Sequence, residues 1–301
     1  MDDDNPYDLL AAADEDGRWA FGTGFADPFA GVDMAIPDGL DPAALARYCL
    51  ALADDALIYS HRLQEWVTHM PELEEETAIA NIALDLLGQA RLLLSRAAAA
   101  DPSLGGDEDA LAFFRPPTLF LNARFVEPTD RGFAAMVARL LVFSAWRLEL
   151  CAALRDCGDP VLAAITARSV SELAYHRDYA AAWVVRLGDG TELSHTRMRD
   201  GLAAVWPGTA ELFTASAVER ALPSVAVDPG AVRGAFDAVL DSVLAAATLD
   251  RPVAPSAGLS AGLSADQPAG PLGRDASHTA DLTTLLTEMQ SVARAHPDAT
   301  W

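Results

Sequence analysis

A carboxylate and an imidazole three residues apart on a helix share one face, and four-helix bundles use that spacing to hold two metal ions. Each of two helices gives a Glu-x-x-His pair and each of the other two gives a Glu. Six His are present to serve such a site. One Glu-x-x-His occurs, Glu192 to His195, and one Asp-x-x-His, Asp275 to His278. Both pairs fall at loop-to-helix boundaries without the remaining ligands, and both read as surface pairs. His61, His69 and His296 have no partner at a metal-type spacing. Glu172 and His176 lie four apart on a stripe with Ile165, Ser169, Tyr179 and Trp183, but the position three before His176 is Leu173. In Asp85-Leu86-Leu87-Gly88-Gln89 no His follows the carboxylate. Cys49, Cys151 and Cys157 show no metal-type spacing and read as buried, reduced thiols.

These residues suggest a different use of polar chemistry. Asp55, Arg62, Asp85, Gln89, Arg147 and Arg168 can point inward together with Glu172 and His176, or they can face solvent. A buried charge left unpaired costs several kcal/mol, so inward-facing members must pair with one another. The expectation is a network of ion pairs and hydrogen bonds, with Asp55, Asp85, Arg147, Glu172 and His176 as candidate members, standing where metal would otherwise be.

The elements that would position them are helical. Hydrophobic residues make up 51% of the chain and aromatics 7%, with Ala and Leu dominant, which suits packed helices better than β-branched sheets. Four Asp-Pro pairs, at 41, 101, 159 and 228, punctuate the body of the chain beyond residue 40. Asp accepts from orphan amides and Pro loses no bond at a first helical position, so three of them predict helix starts; Asp101-Pro102 is read as a stop. A first helix is expected from Asp41 to about His69. A second runs from Glu72 to Ala99, with Leu73, Ala80, Ala83, Leu87, Ala90 and Leu94 as its apolar stripe. A third is expected from Asp130 to Asp156 and a fourth from Asp159 to Leu187, ended by Gly188. Residues 101 to 129 then form a crossover. Two long-helix hairpins joined by one crossover make an all-α, ferritin-like four-helix bundle, with additional C-terminal helices near 191–206, 229–248 and 278–295.

The expected organisation is an acidic leader over residues 1–40, a helical domain over 41–250, a Pro/Gly/Ser-rich linker over 251–275, and a C-terminal helix over 276–301 packing on the bundle. Acids number 44 against 21 Lys and Arg, a formal charge of -23 that would repel phosphate backbones. No nucleic acid is expected as a partner. The first residues lack the basic and apolar regions of a signal peptide, and apolar stretches such as Leu140 to Trp146 are too short to cross a bilayer. A cytoplasmic location, with no membrane partner, is the expectation.

The run from Leu52 to Ala98, with LADDALIYSHRLQEWVTHMPELEEE followed by TAIANIALDLLGQARLLLSRAA, resembles the C subunits of phenylacetyl-CoA 1,2-epoxidases. So do DEDALAFFR from Asp107, AYHRDYAAAWVVRLGDGTE from Ala174 and the ending LTEMQSVARAHPDATW. The resemblance implies a complex in which a ferritin-like sister subunit carries the di-iron centre and binds phenylacetyl-CoA. Electrons would come from NADPH through a reductase holding FAD and an iron-sulfur cluster. Laid against the sister subunit's motif, its ligands fall on Ala56, Leu86, Gln89, Leu173 and His176, so a single donor of the original type is kept. The chain is therefore expected to have no catalytic centre, metal or cofactor of its own, and to pair with and stabilise the catalytic subunit. Trp66, Trp146, Trp183 and Trp206 are candidate anchors for that pairing or for the core. Two rival readings are a self-sufficient di-iron oxidase and a helical adaptor unrelated to oxygenation.

Overall fold

A computed structural model describes Phe29, residues 31–252 and residues 271–299. Most of the expected leader and most of the expected linker lie outside the described residues. Among the described residues there is no strand, and the fold is the ferritin-like helical one.

α1 spans Pro42–Val67. It starts where Asp41 accepts from the Ala43 amide at 3.0 Å, with Pro42 in the first turn. From Ala44 to Leu63 nearly every residue is buried, so α1 is the central helix rather than a one-faced one. α2, Leu73–Ala100, opens on Glu74, Glu75 and Glu76, which favour the positive end of the helix dipole. Its buried face is Ile79, Ile82, Ala83, Leu86, Ala90, Leu93, Leu94 and Ala97. Leu73, expected on the inner stripe, is 73% exposed: the stripe begins a turn later, because the helix is still entering from the Met70-Pro71 turn. α1 and α2 pack as a hairpin, pinned where the Ser60 hydroxyl donates to the Ala83 carbonyl at 2.6 Å.

Asp101 ends α2 and also caps a new 3-10 turn, Pro102–Leu104, by accepting from Ser103 N at 3.0 Å. All four of these Asp-Pro pairs thus open helical segments. The crossover holds a short helix, α3 (Glu108–Phe113), and 3-10 turns at Pro117–Leu119 and Arg124–Val126.

α4, Phe133–Leu154, is buried almost all round. α5, Pro160–Gly188, begins where Asp159 accepts from Leu162 N at 2.8 Å, and buries Ile165, Ser169, Leu173, His176, Ala180 and Val184. Asp159 also forms a buried ion pair with Arg96 of α2, while Arg96 donates to the Met34 carbonyl at 2.8 Å. One guanidinium therefore joins the end of α2, the start of α5 and the segment before α1.

Beyond α5 come α6 (Glu192–Val205), α7 (Ala217–Ala221) with a Ser216/Glu219 capping box, and α8 (Arg233–Ala246). Past residue 270 the chain continues into α9 (Ala280–Met289) and α10 (Ser291–Ala295). Residues 271–275, which read as linker in the sequence, are part of this packed segment: Leu272, Gly273 and Arg274 are buried. Their backbone is in close contact with the crossover, since a Cβ on Gly273 would collide with the Asn122 carbonyl and sit 2.9 Å from Arg124 N.

Gly188 does not end α5 through a left-handed turn. It is a helical residue placed where a side chain would strike the Ala247 carbonyl and lie 2.8 Å from Ala247 Cβ. Among the described residues one helix, Leu73–Ala100, is long and apolar enough to cross a membrane by length and composition alone; 44% of its window is buried, and it packs against α1.

Gly188→Ala is expected to lower unfolding stability by about 1–3 kcal/mol, because the collision with Ala247 outweighs the gain in helical propensity. Gly234→Ala, in open space on α8, should be neutral or stabilising in the same urea titration.

Candidate functional site

The four long helices face one another at the level of Leu52, Gln89, Arg147 and Glu172. Arg147, 2% exposed, enters from α4 and donates through Nη1 to the Leu52 carbonyl and through Nε to Gln89 Oε1, both at 3.1 Å. Gln89 turns its amide nitrogen to Glu172 Oε2 at 3.0 Å. Arg168 closes the series at 3.6 Å from Glu172 Oε1. The amide orientation of Gln89 follows from having a cation on one side and a carboxylate on the other. The series runs from the core to the surface: Arg168 is 61% exposed and Glu172 23%. One turn away His176, 1% exposed, meets Asp85 Oδ2 through Nε2 at 3.0 Å. Its Nδ1 is buried without a partner.

These contacts decide whether the residues present suit a pair of metal ions. Ala56, Leu86 and Leu173 are buried at the inward positions and offer no donor atom. Both ends of the Gln89 amide are engaged, and the Arg147 cation lies between the helices where two further cations would have to sit. Of the five positions, His176 alone keeps a free ring nitrogen. Among the described residues no group of three or more His, Cys, Asp or Glu is placed to hold a metal ion. The donor set does not fit a di-iron pair.

Asp55 is not part of that series. Its carboxylate accepts from Ala123 N at 2.7 Å and pairs with Arg274 at 2.6 Å, and Arg274 also reaches Glu219 at 3.2 Å. Burial opposes the charge on Arg274, but the two carboxylates facing it more than offset this and hold its pKa above the usual arginine value. Neighbouring Asp54 pairs with Arg115 at 2.5 Å and accepts from Leu121 N at 2.8 Å. Arg62, a further inward candidate, donates to the Glu127 and Asp281 carbonyls at 2.7 and 2.9 Å. This second cluster ties α1 to the crossover and to the segment after residue 270.

The surface reading of Asp275 and His278 needs correction. Asp275 is exposed, but the His278 side chain is only 7% exposed and meets Glu127 at 2.7 Å. The Asp-x-x-His spacing is incidental; the partner comes from a residue 151 positions away, which spacing cannot reveal. His195 Nδ1 lies 2.7 Å from the Gly188 carbonyl, which accepts its proton, and Glu192 is exposed. His69 contacts its own helix at the Glu65 carbonyl, 2.8 Å away, and His296 is exposed. His61 is held below its ordinary pKa by burial and then by Arg62. All three cysteines are free; Cys49 and Cys151 are buried and Cys157 half-buried, and burial pushes each thiol up. Sequence reasoning misses Asp54, Arg115, Glu127 and Arg274. Its one usable signal is the Asp54-Asp55 step inside an apolar stretch, where two acids demand two cations.

Comparison with known proteins adds two findings. A family model described as "Phenylacetic acid catabolic protein" matches residues 37–301. The C subunit of the 1,2-phenylacetyl-CoA epoxidase of Escherichia coli (strain K12) is 39% identical over 259 residues, covering 85% of this chain and 99% of that protein.

His176→Ala is expected to lower stability by about 2 kcal/mol, through lost packing and a lost hydrogen bond to the part-exposed Asp85, with bound iron unchanged. Glu172→Ala, partly solvated, should cost about 1 kcal/mol or less. A fall in bound iron in either variant would contradict the fit argument. Arg274→Met should cost about 3–5 kcal/mol by leaving Asp55 buried without its cation; urea unfolding checks all three.

Proposed function

The chain belongs to the phenylacetic acid catabolic protein family, and from that premise we propose that it is the C subunit of a 1,2-phenylacetyl-CoA epoxidase, a structural partner with no catalytic centre of its own. The observation that carries the non-catalytic part of this reading is the Arg147–Gln89–Glu172 series. Where a working bundle would present open carboxylates and imidazoles to metal, this one presents groups already bonded to each other. The inward positions Ala56, Leu86 and Leu173 have no ligand to offer, so substitution of one residue would not restore a site.

The division of labour follows. A ferritin-like sister subunit holds the di-iron centre and phenylacetyl-CoA, and a reductase with FAD and an iron-sulfur cluster draws electrons from NADPH. This chain supplies a rigid bundle against which the catalytic subunit packs, in the cytoplasm. Several apolar side chains are available for that packing, including Leu84 on α2 and Tyr175 on α5, 56% and 53% exposed. Three of the candidate tryptophans are less available, while Trp66 is half-buried. Trp146 and Trp206 are buried, and Trp183 stands edge-on to Phe133 with its Nε1 bonded to Glu75 at 3.0 Å. A permanent pairing of this kind typically buries more than about 2,000 Å2.

Co-expression with the catalytic subunit, followed by size-exclusion chromatography and metal analysis, tests the reading. The expected result is a stable heteromer whose iron follows the catalytic chain, with epoxidation lost or unstable when this chain is omitted. About two irons on this chain alone, with turnover, would support a self-sufficient oxidase instead. Failure to form any complex would support an unrelated adaptor.

A further inference from the structure

The segment 271–299 is fastened to the crossover by a row of polar contacts. Gln290 donates to the Ala112 and Arg115 carbonyls at 2.9 and 3.0 Å, and Arg294 reaches the Arg115 carbonyl at 3.0 Å. Among these contacts one group changes charge near neutral pH, and it is His278. Its Nδ1 lies 2.7 Å from Glu127 Oε1 and its Nε2 lies 2.9 Å from the Phe120 carbonyl. A carbonyl oxygen only accepts. Glu127 is itself surrounded by donors: besides His278, Asn122 Nδ2 donates at 3.0 Å, Thr279 N at 2.7 Å and Thr279 Oγ1 at 2.6 Å. A carboxylate receiving that many hydrogen bonds stays ionised. Both ring nitrogens of His278 therefore face acceptors. A neutral imidazole has one N–H and can satisfy only one of them; the imidazolium satisfies both.

The geometry points to a proton-operated latch: residues 278–295 dock on the crossover with His278 protonated and loosen when that proton leaves, while Arg274 keeps the preceding residues anchored at Asp55. The charged groups around the ring agree with this. Glu127 on the crossover faces it directly, and Asp54 on α1 adds a second negative charge, although Arg115 holds that carboxylate. Arg62 is directed at backbone carbonyls of Glu127 and Asp281 rather than at the ring. Burial pulls the His278 pKa down, but Glu127 and the Phe120 carbonyl outweigh it and hold it above its ordinary 6.5. Burial likewise pushes Glu127 up, and its donors outweigh that to hold it below its ordinary 4.5.

The sign follows from these directions. A raised histidine contributes its full stabilisation below the undocked pKa and loses it as pH rises through the docked one. A depressed carboxylate contributes above its undocked pKa and loses it as pH falls through the docked one. The latch is tightest between those limits and weakens toward alkaline pH. The docking constant should change about tenfold for each pH unit separating the docked and undocked midpoints of His278.

Two measurements on the full chain test this. In the first, a histidine-labelled sample is titrated by NMR, and the His278 ring is expected to titrate above 6.5. In the second, hydrogen exchange of residues 279–295 and 112–126 is followed at about pH 6 and pH 8.5, on either side of the histidine range and corrected for intrinsic rates. Protection of both stretches should fall together at the higher pH in the native chain and show no such step in His278→Gln. Glu127→Gln should lower the ring's midpoint. A ring titrating at or below its ordinary value, or native protection that is the same at both pH values, overturns the latch. If the variants do not fold, the native titration and exchange decide it alone.

Discussion

Two carboxylates on successive residues of α1, Asp54 and Asp55, are fully removed from water. Carboxylates in that position must be met by cations and amides or the helix cannot be buried. Because the two residues are about 100° apart on the helix, one partner cannot serve both. Asp54 takes Arg115 and the Leu121 amide; Asp55 takes Arg274 and the Ala123 amide. The irregular path of the crossover follows from this, since its backbone runs where it can deliver two amides to α1. So does the return of the chain after residue 270, which brings the second guanidinium. The central helix thus specifies the arrangement of segments far from it in sequence.

The second set of buried polar groups, from Arg147 to Arg168, works differently. It links the four long helices by donors and acceptors in sequence, and its members become more solvated toward the α2–α5 seam. A hydrophobic replacement of similar volume could be as stable as such a series, but removing one member strands the others. The bundle keeps the overall form in which metal-binding proteins of this architecture place carboxylates and imidazoles, while the chemistry at those positions is apolar or already satisfied except at His176 Nδ1.

The sequence is unevenly legible, for physical reasons. The four long helices can be read because Asp-Pro caps and apolar periodicity are local signals, and their ends fall within a few residues of the structure. Leu73 departs from expectation because the apolar period extends through a helix entrance that has no packing partner. The fourth helix does stop at Gly188, as read, but what calls for glycine there is the close approach of Ala247, a fact of tertiary structure. Glu172, Gln89, Arg147 and His176 can be placed near one another from helix register. The partner of Asp55 is hidden, because its cation comes from Arg274, in a region whose Pro, Gly and Ser content reads as linker. Burial of His278, within the expected C-terminal helix, is invisible because its partner Glu127 lies 151 positions away.

Arg274 lies 219 positions beyond Asp55 along the chain. During synthesis at about 5–20 residues per second, that guanidinium leaves the ribosome on the order of ten to forty seconds after the carboxylate it neutralises. Until then the nascent helix hairpin carries an acid without its cation, and burying such a charge unpaired costs several kcal/mol. The closed core of the folded chain has that charge met by Arg274.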